Sequence, residues 1–266
     1  MGDIVVLVKP ALNPDMLRSK PDGTVDIVGI PLKFDDIDAN AIEAAKELKK
    51  NLGGKIIAVL LLPWGPTAKR SKDLRMVTQE ALARGADEAI VIADDTLLPG
   101  DQVITANVIA ETIKKHVPNA SLILVAEASI DQTTGQIGGR IAAKLGYPYI
   151  SYARSIKAEG DKIVVERDVE DRIEIMEARL PAVVSVTQEI NEPRPPTLLQ
   201  IRRAGKKPQH KLSASDLGIT VERKKEPLEY RILTVSRKQI IIEGDTLEEI
   251  AEKLIEALEK EGVLSI

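Results

Sequence analysis

The 266-residue sequence contains no cysteine. Disulfides, thiol nucleophiles, iron–sulfur ligation and thiolate zinc sites are therefore excluded. The lack also fits a reducing cytoplasm. Aromatic residues are scarce: one Phe, one Trp and four Tyr. The core must then be built from Val, Ile, Leu and Ala, which suits parallel strands covered by helices on both faces. No apolar run approaches the length that spans a bilayer. The N-terminal Asp3–Val8 stretch is too short, and has too little basic lead-in, to read as a secretory leader. No excess of positive charge is present, with 37 Lys and Arg against 41 Asp and Glu, so no broad basic field points to nucleic acid. These absences predict a cytoplasmic protein without a membrane span, one that reaches a membrane surface only through partner subunits.

Apolar residues make up 44% of the chain, enough for a sizeable core. Five aliphatic residues, Ile4 to Val8, read as a buried strand ended by Lys9-Pro10. Asp38 to Lys50 has helical spacing and stops at Gly53-Gly54. Strands over Lys55–Leu62, Glu88–Ala93 and Ser121–Ala126 alternate with helices over Lys72–Ala83, Asp101–His116 and Gln136–Leu145. This is the pattern of an α/β, doubly wound, mostly parallel sheet, Rossmann-like and suited to adenine nucleotides. Tyr152–Lys157, Lys162–Asp168 and Arg172–Leu180 then read as an antiparallel extension, and Ala182–Thr187 as another buried strand. Residues 191–228, rich in Pro, Lys and Arg, read as an extended arm following a body of residues 1–190. In residues 229–266, Glu229–Glu243 is β-type. Thr246-Leu247-Glu248-Glu249 is a capping box opening a helix with a stripe of Leu247, Ile250, Ala251, Leu254, Ile255 and Leu258. That stripe has to be covered by the body or by a partner.

Ligands of such sheets sit beyond the C-terminal strand ends, where the strand order reverses. The loop after the fourth strand holds Ser129, Ile130, Asp131, Gln132, Thr133, Thr134, Gly135, Gln136, Ile137, Gly138, Gly139 and Arg140. Helix-terminal amides there attract an anion, and glycines let a phosphate approach. The bland reading is an ordinary strand-to-helix turn. The loop is neither a Walker loop nor a GxGxxG fingerprint. Strand one ends in Lys9-Pro10-Ala11, not in the Ser-Gly-Gly type of loop expected of a nucleotide hydrolase. Asp35, Asp36 and Asp38 read as helix-capping carboxylates rather than a metal site. His116 and His210, in polar surroundings, have no evident catalytic partner. Arg202-Arg203 and Lys206-Lys207 read as a solvated basic run that could also meet an acidic partner or a phosphate.

Five segments in order resemble the electron-transfer flavoprotein beta subunit, from about residue 3 to about residue 220. They are Val8-Lys9 with the Asp-rich entry to Asp38–Ala45; Leu82-Ala83-Arg84-Gly85-Ala86-Asp87; Ser129-Ile130-Asp131 leading to Gln136-Ile137-Gly138; Val165–Asp171 followed by Leu180-Pro181-Ala182-Val183-Val184; and Asn191-Glu192-Pro193-Arg194 with Thr197-Leu198. The resemblance implies a nucleotide-binding α/β subunit that pairs with a larger alpha subunit, which carries the transferring flavin. The beta site would hold either AMP as a structural ligand or a second FAD. In the FAD case, NADH serves as reductant and electrons bifurcate to two acceptors. The anaerobic, NADH-using branch is the closer likeness. By the same resemblance, Leu7, Lys9, Asp35, Asp36, Ile37, Asp38, Leu61, Leu62 and Thr105 join the 129–140 loop as cofactor-binding residues. Pro195, Pro196, Thr197, Leu198 and Leu199 match the loop that docks a dehydrogenase, quinone oxidoreductase or ferredoxin, with Leu198 as anchor. Three departures stand out. Asp35-Asp36 replaces the family's Asn-Pro, the Pro63–Arg70 segment is longer and carries Trp64, and Pro195-Pro196 stiffens the docking loop. The competing readings are a nucleotide-binding regulatory protein of the stress-protein type, which would form homodimers and retain ATP, and a stand-alone hydrolase or ligase, for which no catalytic constellation is evident.

Overall fold

In a computed structural model of the chain, residues 2–98, 100–221, 227–232 and 237–264 are described. The chain divides into two compact units, Met1–Ile232 and Leu233–Ile266. In the first, the elements in order are β1 (Asp3–Val8), β2 (Pro10–Leu12), β3 (Leu32–Phe34), α1 (Asp36–Leu52), β4 (Ile56–Leu61), α2 (Thr67–Arg84), β5 (Glu88–Ile92), α3 (Gln102–His116), β6 (Ala120–Ala126), α4 (Ile137–Leu145), β7 (Tyr149–Glu159), β8 (Lys162–Asp168), β9 (Ile173–Arg179), β10 (Ala182–Val186), α5 (Leu198–Ala204) and β11 (Gln209–Leu212).

One sheet carries nine of these strands in the order β11-β5-β4-β1-β6-β10-β7-β8-β9, while β2 and β3 pair apart from it. Its pairings are parallel from β11 to β7, and the β7-β8-β9 extension is antiparallel. The expected mostly parallel architecture with an antiparallel extension is therefore present. Side chains alternate across the strands with period two. Ile4, Val6, Val8, Ala58, Leu60, Leu122 and Leu124 face the layer of α1 and α2. Val5, Leu7, Ile57, Val59, Leu61, Ile123 and Val125 face that of α3 and α4. Central strands are buried on both faces, which is why they read as unbroken aliphatic runs. Each fully buried Ile or Leu contributes about 1.5–3 kcal/mol.

Several boundaries differ from the sequence reading. α1 starts at Asp36 because Asp35 is its N-cap, accepting the Ile37 N–H. α2 starts at Thr67 rather than at Lys72. Its polar first turns gave no apolar signal, yet the Thr67 N–H donates to Asp95 at 2.8 Å, and Arg70 is buried, donating to the carbonyls of Ile27 and Ile30. Within 191–228, read as extended, the chain forms the one-turn-plus helix α5 with a full Thr197/Gln200 capping box, and then β11 at the sheet edge. The β-type reading of 229–243 does not hold for the described residues, which show only a bridge between Arg231 and Thr24; residues 233–236 lie outside the described part. In the second unit, α6 (Leu247–Lys260) starts as expected at Thr246, whose hydroxyl accepts the Glu249 N–H. Glu249 caps the Asp245 N–H instead of closing a full box. None of the α6 residues is buried, and Leu247 is 80% exposed. No described helix is long and apolar enough to cross a membrane.

One residue of the basic run has a structural task. The Lys207 ammonium donates to the carbonyls of Leu82 and Ala86 at 2.7 and 2.6 Å, satisfying the C-terminal end of α2. Partial burial holds its pKa below the usual lysine value. Lys207→Met should lower unfolding stability by about 1–3 kcal/mol, since two carbonyls lose a charged donor. Urea denaturation checks this; an unchanged midpoint would show the cap to be energetically idle.

Candidate functional site

The strand order reverses between β1 and β6: β4 and β5 lie on one side of β1, and β6 and β10 on the other. A cleft opens beyond the C-terminal ends of these strands. Its walls come from Leu7 and Lys9 at the end of β1, Val59 and Leu61 of β4, Thr105 and Ile109 of α3, and the chain from Val125 to Ile137. Leu7, Val59, Leu61, Ile109 and Val125 all belong to the α3/α4 side of the core, so the cleft opens on that face.

The 129–136 loop is held by a carboxylate at its centre. The Asp131 side chain is 3% exposed and accepts from the Lys9 ammonium at 2.6 Å, the Leu12 N–H at 3.0 Å, the Trp64 indole N–H at 2.8 Å and the Ser129 hydroxyl at 2.8 Å. Burial pushes its pKa up, but the Lys9 charge and these donors outweigh burial and hold it below the usual carboxylate range. Lys9 in turn donates to Ser129, Asp131 and Gln132. An ammonium has three donors, so all of its capacity is spent on the loop. Two further carboxylates lie at the entry to α1. Asp35, fully buried, takes the N–H groups of Ile37 and Ile130. Asp38 takes the Lys9 N–H at 2.6 Å. Burial drives both pKa values upward, that of Asp38 far upward with help from the neighbouring Asp35. No group of residues suited to a metal ion occurs among the described residues.

Of the residues singled out in the sequence, Leu7, Lys9, Asp38, Leu61, Thr105, Ser129, Gln132, Thr134, Gly135, Gln136 and Ile137 meet at the cleft. The others lie around it. Asp35, Ile37 and Leu62 are buried behind it. Asp36 is exposed and paired with Lys33. Ile130 and Asp131 anchor the loop from inside, and Thr133 bonds back to Ser129. Arg140 points along α4 to Gln136. Gly138 and Gly139, expected to let a phosphate approach, also make close packing possible. A Cβ on Gly138 would lie 2.9 Å from Val125 and Tyr149, and one on Gly139 3.3 Å from Tyr149, so α4 can sit close on the sheet. Gly135 is the loop glycine with a left-handed backbone, φ +62°, on the cleft wall. The sequence reading missed the α3 side of the cleft beyond Thr105: Gly100, Asp101 and Gln102, for which a position at a helix entry was the only signal, and Ile109 in the middle of the helix.

The N-terminus of α4 decides what the cleft can hold. Side chains cap α1, α3 and α5 through Asp35, Asp101 and Thr197, and Asp95 meets the first amide of α2. α4 has no side-chain cap, and its N-cap residue Gln136 lines the cleft. Uncapped amides with the positive end of a helix dipole fit an anion such as a phosphate.

An electron transfer flavoprotein domain matches residues 22–217. This chain belongs to the electron transfer flavoprotein family, on its beta-subunit side. It is 36% identical to an electron transfer flavoprotein subunit beta of Megasphaera elsdenii over 80% of this chain and 78% of that protein. It is 33% identical to a subunit beta of Thermoanaerobacterium thermosaccharolyticum over 82% and 80%. The caffeyl-CoA reductase-Etf complex subunit CarD of Acetobacterium woodii is 30% identical over 98% of this chain and 99% of its own length. The family assignment and α/β fold read from the sequence are thus established.

The two cleft carboxylates should respond oppositely to substitution. Asp131 has a depressed pKa in the folded state, so its contribution is present above the ordinary value near 3.8 and is lost as pH falls through the lower folded value. Asp38 has a raised pKa, so its charge opposes folding increasingly as pH rises from 3.8 through the folded value. Asp131→Asn should cost about 2–4 kcal/mol at pH 7, because Lys9 loses its counter-charge. Asp38→Asn keeps an acceptor for the Lys9 N–H and should leave the melting temperature at pH 7 equal or higher, a difference that shrinks toward pH 4. Thermal melts of both variants at the two pH values test this; equal losses at pH 7 would contradict it.

Proposed function

We propose that this beta subunit pairs with an alpha subunit and holds FAD in the β1–β6 cleft, as an NADH-reduced, electron-bifurcating flavoprotein. The observation that carries the reading is the uncapped N-terminus of α4 on the wall of a cleft at the switch point of the sheet. The residues present fit an adenylate. The first amides of α4 would take phosphate oxygens, and Gly135 leaves room for them where a side chain would intrude. Thr134 and Gln132 add polar donors at the rim, while Leu7, Leu61 and Ile109 offer apolar walls to a ring system. Lys9, spent on Asp131, organises the loop rather than binding the ligand. When bound, the flavin supplies the redox chemistry, taking two electrons from NADH and parting them between a high- and a low-potential acceptor. The chain itself contributes binding and orientation, and none of its side chains has to move a proton.

The likeness over almost its whole length to a subunit of a reductase-Etf complex supports a role beside a dehydrogenase, quinone oxidoreductase or ferredoxin partner. Leu198, 82% exposed at the start of α5, and its neighbour Leu199 suit an anchor that enters an apolar pocket of that partner. The apolar stripe of α6 would be covered by the alpha subunit.

Co-expression with the alpha subunit should yield a yellow heterodimer carrying two FAD, bleached anaerobically by NADH; chromatography of the released nucleotides gives the count. One FAD and one AMP would replace the FAD reading by a structural AMP and simple transfer. A colourless homodimer retaining ATP would overturn both in favour of a regulatory module. Gly135→Val should empty the beta site, leaving about one flavin per heterodimer, since the side chain would fill the approach and strain the turn. In the same heterodimer, Leu198→Ala should raise the KM for a partner about tenfold or more, the scale of losing a docking hot spot, with flavin content intact. A fall in flavin content would make that helix structural.

A further inference from the structure

A second concavity lies away from the cofactor cleft, between α2 and β11. Its floor is apolar, with Leu74 and Val91 buried beneath it. Its walls carry Lys72 and Arg75 from α2 and Lys211 from β11. Lys72 and Arg75 are spaced i, i+3, which places like charges side by side on one helical face, an unfavourable arrangement in isolation. Neither they nor Lys211 forms an ion pair among the described residues. Three other cations of this layer are neutralised: Lys46 by Glu43, Lys49 by Asp87 and Arg84 by Glu80. The one carboxylate lining the groove, Asp216, already accepts from the Ser213 N–H and hydroxyl at 2.8 and 2.6 Å, which hold it ionised. The groove therefore keeps a local positive charge in a chain whose net charge is −4. A lysine on an edge strand also discourages edge-to-edge aggregation. That explains Lys211 but not Lys72 or Arg75.

The groove shares its framework with the exposed apolar helix α5. α5 packs on α2, and four residues after α5 ends the chain becomes β11, the other wall of the groove. Leu198, Leu199 and Ile201 stand out from α5 at 82, 54 and 48% exposure. An apolar knob and a cationic trough are thus carried by one pair of elements. β11 is, moreover, the last strand of the sheet on this side among the described residues, with its outer edge unpaired.

We propose that the α2–β11 groove is the electrostatic half of the partner-docking face and takes an acidic, extended segment of the electron-transfer partner. The proposal rests on the docking role given above to α5. In it, Leu198 supplies apolar anchoring, while Lys72, Arg75 and Lys211 steer the partner's carboxylates and fix their register.

The test uses the full chain and a fluorescein-labelled octaglutamate peptide, followed by anisotropy at 20 and 200 mM salt. The wild-type protein should bind it, more weakly at the higher salt. Lys72→Glu with Arg75→Glu should weaken binding on the order of tenfold or more at low salt. Lys144→Glu, an exposed lysine of α4 on the opposite face, should not. Equal affinity of the double variant, an equal loss in Lys144→Glu, or tighter binding of a labelled oligothymidylate of the same charge would overturn the assignment. Leu198→Ala should leave octaglutamate affinity unchanged. Failure of the α5 reading would appear separately, as undiminished partner reduction by the Leu198→Ala heterodimer.

Discussion

The clasp between Lys9 and Asp131 is the contact on which the β1–β6 cleft depends. β1 and β6 are adjacent parallel strands whose chains leave the sheet at the same end. The loop that follows β6 runs several residues before α4 begins and has no regular structure of its own to hold it. Asp131 ties it to the end of β1 through Lys9, to β2 through the Leu12 N–H, and to the β4–α2 connection through Trp64. Burying the charge is costly, and it is tolerated because an ammonium and three neutral donors surround it. A loop fixed in this way presents the start of α4 without needing a ligand to order it, which lowers the entropic cost of binding.

The same clasp constrains how an anion is recognised. Lys9 is the cation that lines the cleft, and its three donors are occupied. The carboxylates of Asp35 and Asp38 are buried beside it, and Glu127 lines the cleft with a pKa raised by burial and by nearby Glu189. Side-chain charge in the cleft is therefore either neutralised or negative. In the proposed reading, attraction for a phosphate would fall to the backbone amides of α4 and its dipole, which act over short range and favour an anion seated directly on the helix axis. Such a site selects by position more than by total charge.

The central sheet strands were legible because burial on both faces leaves continuous aliphatic runs, α1 because a cap, a Gly stop and apolar spacing agreed, α3 from its cap and spacing, and α4 from its spacing and its Gly146 stop. β11 was not, since Gln209-His210-Lys211-Leu212 lies at an edge, and its pairing with β5 is set by tertiary placement rather than by a pattern of its own. The first turns of α2 were hidden for a related reason: the residue buried there is Arg70, whose guanidinium satisfies two loop carbonyls. At the site, the loop after β6 was found from its composition and position. The division of labour inside it was not. Ser, Thr and Gly announce a phosphate loop, but only coordinates distinguish Gly135, on the cleft wall, from Gly138, pressed against Tyr149. Nor does a lysine in sequence reveal that three acceptors from a loop 120 residues away exhaust it.

Strand parity separates the two surfaces of this molecule. The cleft walls Leu7, Val59, Leu61 and Val125 point to the α3/α4 layer. Leu74, Val91 and Ala204, beneath the groove and α5, belong to the α1/α2 layer. A buried sheet lies between the cleft and the proposed docking face. Two side chains cross between the layers: Asp35 at the start of α1, which accepts the Ile130 N–H of the cleft loop, and Trp64. The Trp64 ring packs in the α1/α2 core, edge-on to Tyr230 at 5.6 Å, while its indole N–H reaches Asp131 under the cleft loop. Side-chain routes between the proposed docking face and the cleft loop therefore run through Asp35 and through Trp64, which lies in the segment that is longer than the family pattern.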